Sequence, residues 1–220
     1  MKTYSKEINS VYLILKDEFP KHRTPVVELI EAQTKNPFKI LITTILSART
    51  KDGVTAEAVT RLFKYVNSPQ DLLGLSQSNI EKLIFPVGFF REKARYLKTL
   101  PSVLNDLYNG TVPDTVEELV KLPGVGRKTA NLVVAVAFNK PAVCVDIHVH
   151  RIFNRLGYLH SKTPLETEMI LREHLPVTFW TTFNSYFVSF GQNRCSPVHP
   201  RCSGCPIIDY CSRCGVSCPA

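Results

Sequence analysis

Hydrophobic positions recur at three- and four-residue intervals along nearly the whole chain, while the period-two alternation of a half-buried strand is scarce. The pattern predicts helices over residues 5–18, 25–33, 37–48, 54–66, 78–85, 91–108, 115–121, 127–138, 147–157, 164–174 and 179–190, an all-α chain. Polar punctuation supports several boundaries. The segments DTVE (Asp114–Glu117) and TPLE (Thr163–Glu166) read as capping boxes, the second with Pro164 at the first helical position. Gly110 and Gly157 stand where a helix ends in a left-handed residue. No repeat, long linker or low-complexity tract interrupts the pattern, and no apolar run reaches membrane-spanning length.

One connection carries unusual chemistry. LPGVG joins the helices at 115–121 and 127–138, with Pro123 stopping the first and Gly124 and Gly126 permitting positive φ and close approach of another backbone. Ala130, Val133, Val134, Ala137 and Phe138 form an apolar stripe that pins the turn to the core and leaves its N–H groups facing out. Such a turn is either an ordinary helical hairpin or an anion site, where donors and helix dipole together hold a phosphate. Lys128 breaks a local rule, since a lysine in a first helical turn opposes the dipole at about 0.3–1 kcal/mol. A helix N-terminus, the neighbouring Arg127 and apolar packing are three reasons for a lowered pKa, and a neutral amine is a nucleophile that forms Schiff bases. Asp146, immediately before IHVHRIF, suits an N-cap of the helix 147–157. One helix and a short loop after Lys128, it is also positioned to return toward the start of helix 127–138.

Composition changes the picture in two ways. The 27 Lys+Arg against 19 Asp+Glu give a net charge of +8, which leans toward a polyanionic partner. Cysteine use is uneven: Cys144 stands alone, whereas Cys195, Cys202, Cys205, Cys211, Cys214 and Cys218 crowd the C-terminal segment. The first residues lack a signal-peptide pattern, so the expectation is an intracellular, cytoplasmic protein whose clustered thiols hold metal. Four thiolates at Cys195, Cys202, Cys205 and Cys211 fit an iron–sulfur cluster or tetrahedral zinc, and Cys202, Cys205, Cys211 and Cys214 form a competing zinc-like set. Rich in Cys, Pro, Ser and Gly, this stretch reads as a loop ordered by its ligand. His148 and His150, at i and i+2 of a helix, point to different faces and do not form a metal pair.

LPGVGRKTAN, VDIHVHRIFNRLG, the cysteine spacing and the upstream NPFKILITTILSART together resemble the endonuclease III family of helix-hairpin-helix DNA glycosylases with an associated lyase activity. The resemblance covers most of the chain. It implies two helical domains: a six-helix barrel over 30–140 containing the hairpin at about 115–138, and a cluster domain from 1–29 plus 141–220. A cleft between them would hold Lys128 and Asp146. It implies one 4Fe-4S cluster on Cys195, Cys202, Cys205 and Cys211, structural in role, with Cys214 and Cys218 surplus to the pattern. Lys128 is then the nucleophile that expels a damaged base, and its Schiff base permits β-elimination 3′ to the lesion. Asp146 either stabilises the developing charge or deprotonates the amine.

The expected partner is double-stranded DNA with oxidised pyrimidines or abasic sites, met by a monomer at the nucleoid of a prokaryote. Gly124, Gly126, Arg127 and Thr129 would hold the DNA backbone, with His148 and Arg151 beside it, while Arg155 reads as part of a solvated stripe. Extrusion of the nucleotide would employ Phe89 or Phe90 as a wedge, one outside and one in the core, with Arg49 facing the void and Asp52 lining the pocket. Glutamine is usual in bacterial relatives where Arg49 stands. Thr44 occupies the place of the adenine-mismatch branch's glutamate, and Lys128 that of the thymine-mismatch branch's tyrosine, so both activities are disfavoured. The alternatives are a same-superfamily glycosylase with uracil or thymine mismatch preference, or a non-catalytic DNA grip requiring only the glycine turn.

Overall fold

The structure, a computed structural model, describes residues 6–21, 26, 27, 30 and 34–216. All regular structure among them is helical, and no helix there is long and apolar enough to cross a membrane. The helix expected over 25–33 falls largely outside the described residues, as does Cys218. The chain divides into two compact units, residues 26–140 and residues 1–25 with 141–220.

The 26–140 unit is built around α2 (Pro37–Ser47). Phe38 and Ile40 through Leu46 are all buried, so between Ile40 and Leu46 this helix has no solvent face and the rest of the unit wraps it. Thr43 and Thr44, polar residues inside that run, return their hydroxyls to the carbonyls of Lys39 and Ile40 (2.8 Å each). Asn36 caps the helix, accepting from the backbone N–H of Phe38 (3.0 Å). Around α2 stand α3 (Asp52–Leu62), α4 (Pro69–Gly74), α5 (Gln77–Ile84), α6 (Phe90–Tyr108), α7 (Val116–Leu119) and α8 (Arg127–Phe138). α2 packs on α3, α6 and α8, while α4 and α5 pack on α6.

Two details differ from the periodicity reading. The short α4 was not expected, yet Ser68 and Asp71 form a full capping box there with Pro69 at the start. The box at 114–117 is shifted by one residue: Thr115, not Asp114, caps α7 by accepting from Glu118 N–H (3.3 Å).

The other unit assembles α1 (Lys6–Glu18), α9 (Ile147–Leu156), α10 (Pro164–His174) and α11 (Phe183–Asn193). α11 packs against both α1 and α9, and α10 against α9. Its core interleaves one stripe from each main helix: Ile8, Val11 and Leu15; Val149, Ile152, Phe153 and Leu156; Phe183, Phe187 and Phe190. Phe153 stacks on Phe187 with ring centroids 4.7 Å apart. Gly191 lets α9 and α11 approach, since a Cβ there would lie 2.7 Å from His148 Nδ1.

His150 joins a closed polar network beside this core. Its Nδ1 shares a hydrogen bond with Thr167 Oγ1 (2.7 Å), Thr167 with Ser161 Oγ (2.6 Å), and Asn154 binds both Ser161 and the His150 carbonyl. Burial holds the imidazole below its ordinary pKa of 6.5, against a smaller opposing pull from Glu166. The unfolded chain therefore takes up this proton first, and stability is lost as the pH falls from 6.5 through the lower folded value. Urea unfolding at pH 7 and pH 5 is expected to show a steeper acid loss for the wild type than for His150→Gln.

Candidate active site

The glycine turn between α7 and α8 assigns different tasks to its two glycines. Gly124 has φ +76°, and a Cβ there would lie 2.5 Å from the Tyr96 ring of α6, so only glycine seats the turn on that helix. Gly126 corrects the expectation of positive φ. It is extended (φ −88°), serves as the N-cap of α8, and a Cβ on it would meet nothing within 4 Å. Its value lies in having no side chain: no side-chain cap closes the N-terminus of α8, and the space outside is open for an approaching group. Arg127 and Lys128 are exposed in that first turn, whereas the Thr129 side chain is buried, leaving its backbone as the part able to face a ligand.

α9 begins in the opposite manner. Asp146 caps it through Oδ1, which accepts from the N–H groups of His148 and Val149 at 2.9 Å each, and the residue is 8% exposed. A carboxylate here is stabilised by the helix dipole and fixed in position by two backbone donors.

Arg151, expected beside the DNA backbone, and Arg155, expected in a solvated stripe, both donate into the loop that carries the cysteines. Arg151 donates to the Cys195 carbonyl (Nη2, 2.8 Å), the Gly191 carbonyl (3.1 Å) and His148 Nδ1 (3.0 Å). Arg155 donates to Ser196 O and Pro197 O at 2.7 Å each and to Cys195 Sγ at 3.2 Å. Multiple donors in a planar fork suit them to clamp loop carbonyls. His148 is drawn into that clamp as an acceptor.

The clamped segment folds around one pocket. Cys195, Cys202, Cys205 and Cys211 line it, among Ile152, Leu156, Phe190 and Ile207. Burial pushes the Cys205 and Cys211 thiols up, and the backbone N–H groups of Ile207 and Arg213 pull them back by donating to the two sulfurs. Cys214 is absent from the lining and sits instead against Gly157. Among the described residues no three ligating side chains stand close enough together to hold a metal ion as they are. The loop also has a protein anchor: Ile207 is 2% exposed within the core.

In the 26–140 unit, two loops come together at the ends of α2 and α5. Arg49 (φ +53°) and Phe89 (φ +58°) are both left-handed, and the Arg49 guanidinium lies 5.6 Å from the Phe89 ring centroid. Phe89 is 63% exposed, while Phe90 turns edge-on to Phe85 at 5.3 Å, so the outward phenylalanine is Phe89. Asp52 opens α3, and Thr44 is buried in α2. Behind these loops is Lys93, 6% exposed, whose Nζ donates to Leu46 O (2.9 Å), Ala48 O (2.6 Å) and Thr50 Oγ1 (3.2 Å). Its burial pushes the ammonium down to about 8. Periodicity carried a signal for it: Lys93 lies in phase with Leu97, Leu100 and Leu104 on the buried stripe of α6.

A model of the HhH-GPD superfamily of base excision DNA repair proteins matches residues 42–177. Endonuclease III of Thermotoga maritima is 45% identical over 176 residues, 80% of this chain and 83% of that protein. Endonuclease III-like protein 1 of Gallus gallus is 42% identical over 177 residues, 79% of this chain and 63% of that longer protein. A solved trapped endonuclease III–DNA covalent intermediate, an estranged-adenine complex, matches with TM-score 0.86 and 36% identity over 97% of both chains.

The two glycines are separable by mutation. Gly124→Ala combines a left-handed φ with the Tyr96 contact and is expected to lower stability by about 2 kcal/mol or more. Gly126→Ala meets neither and is expected to cost under about 1 kcal/mol in the same denaturant titration.

Proposed function

The chain belongs to the endonuclease III family within the HhH-GPD superfamily, and from that premise we propose that it is a bifunctional DNA glycosylase and abasic-site lyase acting on oxidised pyrimidines. The observation that carries the reading is the exposed Lys128 in the first turn of α8, beside an N-terminus that Gly126 leaves without a side-chain cap. The uncapped N–H groups and the dipole hold a backbone phosphate, with Gly124, Gly126, Arg127 and the Thr129 backbone around it. Lys128 Nζ attacks C1′, the C1′–N bond to the damaged base breaks, and the base leaves with a proton. Ring opening breaks C1′–O4′, O4′ takes a proton, and the C1′–Nζ bond becomes a protonated Schiff base. Loss of a C2′ proton then expels the 3′ phosphate, and water releases the lysine. Asp146, held by its own helix, supplies the fixed negative charge that this cationic sequence requires, as electrostatic partner or as proton acceptor.

The barrel role belongs in this reading to residues 30–140 and the cluster role to 1–29 with 141–220. Phe89 is the wedge and Arg49 faces the void it leaves. The four pocket cysteines fit one 4Fe-4S cluster: they share one lining, apolar residues surround them, and N–H donors reach the sulfurs of Cys195, Cys205 and Cys211. Exclusion of Cys214 from that lining counts against the competing zinc-like set. Such a cluster supplies a covalent tie among residues 195, 202, 205 and 211, and none of the chemistry at C1′. The partner is damaged double-stranded DNA, met in the nucleoid by a monomer.

Borohydride reduction with an abasic duplex is expected to trap the wild type covalently and to leave Lys128→Ala untrapped. Trapping by that variant would move the nucleophile elsewhere. Asp146→Asn keeps the cap, and with it stability, while slowing single-turnover base release by about 10²–10⁴-fold. Metal analysis of the purified protein is expected to give iron and sulfide with visible thiolate-to-iron absorption; zinc instead would overturn the cluster assignment.

A further inference from the structure

The buried Lys93 takes no part in the chemistry just described, and its surroundings join the two loops that carry Arg49 and Phe89. The end of α2 leaves the carbonyls of Leu46 and Ala48 without helical partners, and Lys93 Nζ collects both. Its third acceptor, Thr50 Oγ1, in turn receives the Gly88 N–H at 3.1 Å. The contact is tight: a Cβ on Gly88 would lie 2.5 Å from the Arg49 carbonyl oxygen. Arg49 and Phe89 each adopt the left-handed region, which costs a non-glycine residue energy and persists only where surroundings enforce it. Lys93 is four residues after Phe89, the N-cap of its helix, and its stem continues the stripe of Leu97, Leu100 and Leu104 that fixes α6 in the core.

A simple cap for α2 would not need an ammonium withdrawn from water at the cost of a depressed pKa. Three convergent acceptors satisfy all three of its protons, which is the arrangement a fixed distance between two loops calls for.

We propose that Lys93 is a positioning residue for nucleotide extrusion: by bonding Leu46, Ala48 and Thr50 from the helix that bears Phe89, it holds Arg49 and Phe89 as one preassembled unit that enters the duplex together. The inference rests on the glycosylase reading above. An exposed aromatic and an exposed guanidinium, separately mobile, would each lose conformational freedom on insertion; held in advance, they enter already ordered. The consequence is selective. Extrusion from a stacked duplex depends on Lys93, whereas attack by Lys128 on a sugar that needs no extrusion does not.

The test compares two substrates under single-turnover conditions. One is a duplex carrying an oxidised pyrimidine with 2-aminopurine beside it; the other is a single-stranded oligonucleotide with a preformed abasic site. Lys93→Met keeps the apolar stem and removes the three bonds. It is expected to slow base release from the duplex by on the order of ten- to a hundredfold and to suppress the 2-aminopurine rise, with abasic cleavage within about twofold of wild type. Thr50→Val, which removes one of the ammonium's three acceptors together with the link to Gly88, should shift both duplex readouts the same way by a smaller factor, and decides the matter if Lys93→Met does not fold. Equal losses on both substrates, or duplex rates unchanged in a folded variant, overturn the proposal. A wild type inactive on both substrates instead removes the glycosylase reading itself.

Discussion

In a chain of short helices joined by tight bends, the binding constraint is the carbonyl oxygen that each helix end leaves unpaired. Here long cationic side chains collect them. Lys93 takes the end of α2, Lys98 bonds Leu73 and Leu75 at the end of α4, and Arg61 bonds Leu83 and Phe85 at the end of α5. Arg151 and Arg155 do the same for the carbonyls of the cysteine loop, and Arg194 spans to Arg201 and Ser203. The apolar stems of these residues lie along the helices while their heads reach the bends, so each fixes a loop to the element beneath it. Among the loops fixed in this way are those that carry the outward Phe89, the exposed Arg49 and the cysteines.

The two helix N-termini that bear the proposed chemistry are finished in contrasting ways. α9 receives a buried carboxylate, which satisfies its donors and its dipole at once. α8 receives a glycine and then two cations, an arrangement that gives its positive end no side-chain cap. Stability alone would favour the first solution in both places. The second makes sense where an outside anion completes the helix and an amine beside it is to react.

The features legible in advance were those that a short-range rule governs. Helical periodicity located the principal helices, and Asp146 announced itself by standing directly before an amphipathic run with Gly157 at its far end. Gly124 was legible as a turn residue, but its partner Tyr96 lies on another helix and has no local signature. Gly126 was assigned a conformation it does not have, because two glycines in one turn look alike until one is seen capping a helix. Arg151 was expected beside DNA and Arg155 in a solvated stripe, since the carbonyls they bond are about 40 residues away in sequence. Lys93 sat on an apolar stripe, where its charge argued against burial. Only the convergence of three acceptors from the end of α2 and the loop after it makes that position habitable. What sequence hides is less the hydrophobic packing than where distant carbonyls end up.

The carbonyl clamps have an electrostatic consequence as well. A lysine or arginine paired with a carboxylate loses its monopole to its partner, whereas one bonded to carbonyl oxygens keeps a full unit of charge and only orients dipoles toward it. Stabilising the bends in this fashion therefore leaves the long-range positive field of the +8 chain undiminished. The same side chains that hold the loops still contribute to the rate at which a polyanion is drawn in from solution. That rate falls as ionic strength rises, while the buried bonds themselves are only weakly screened.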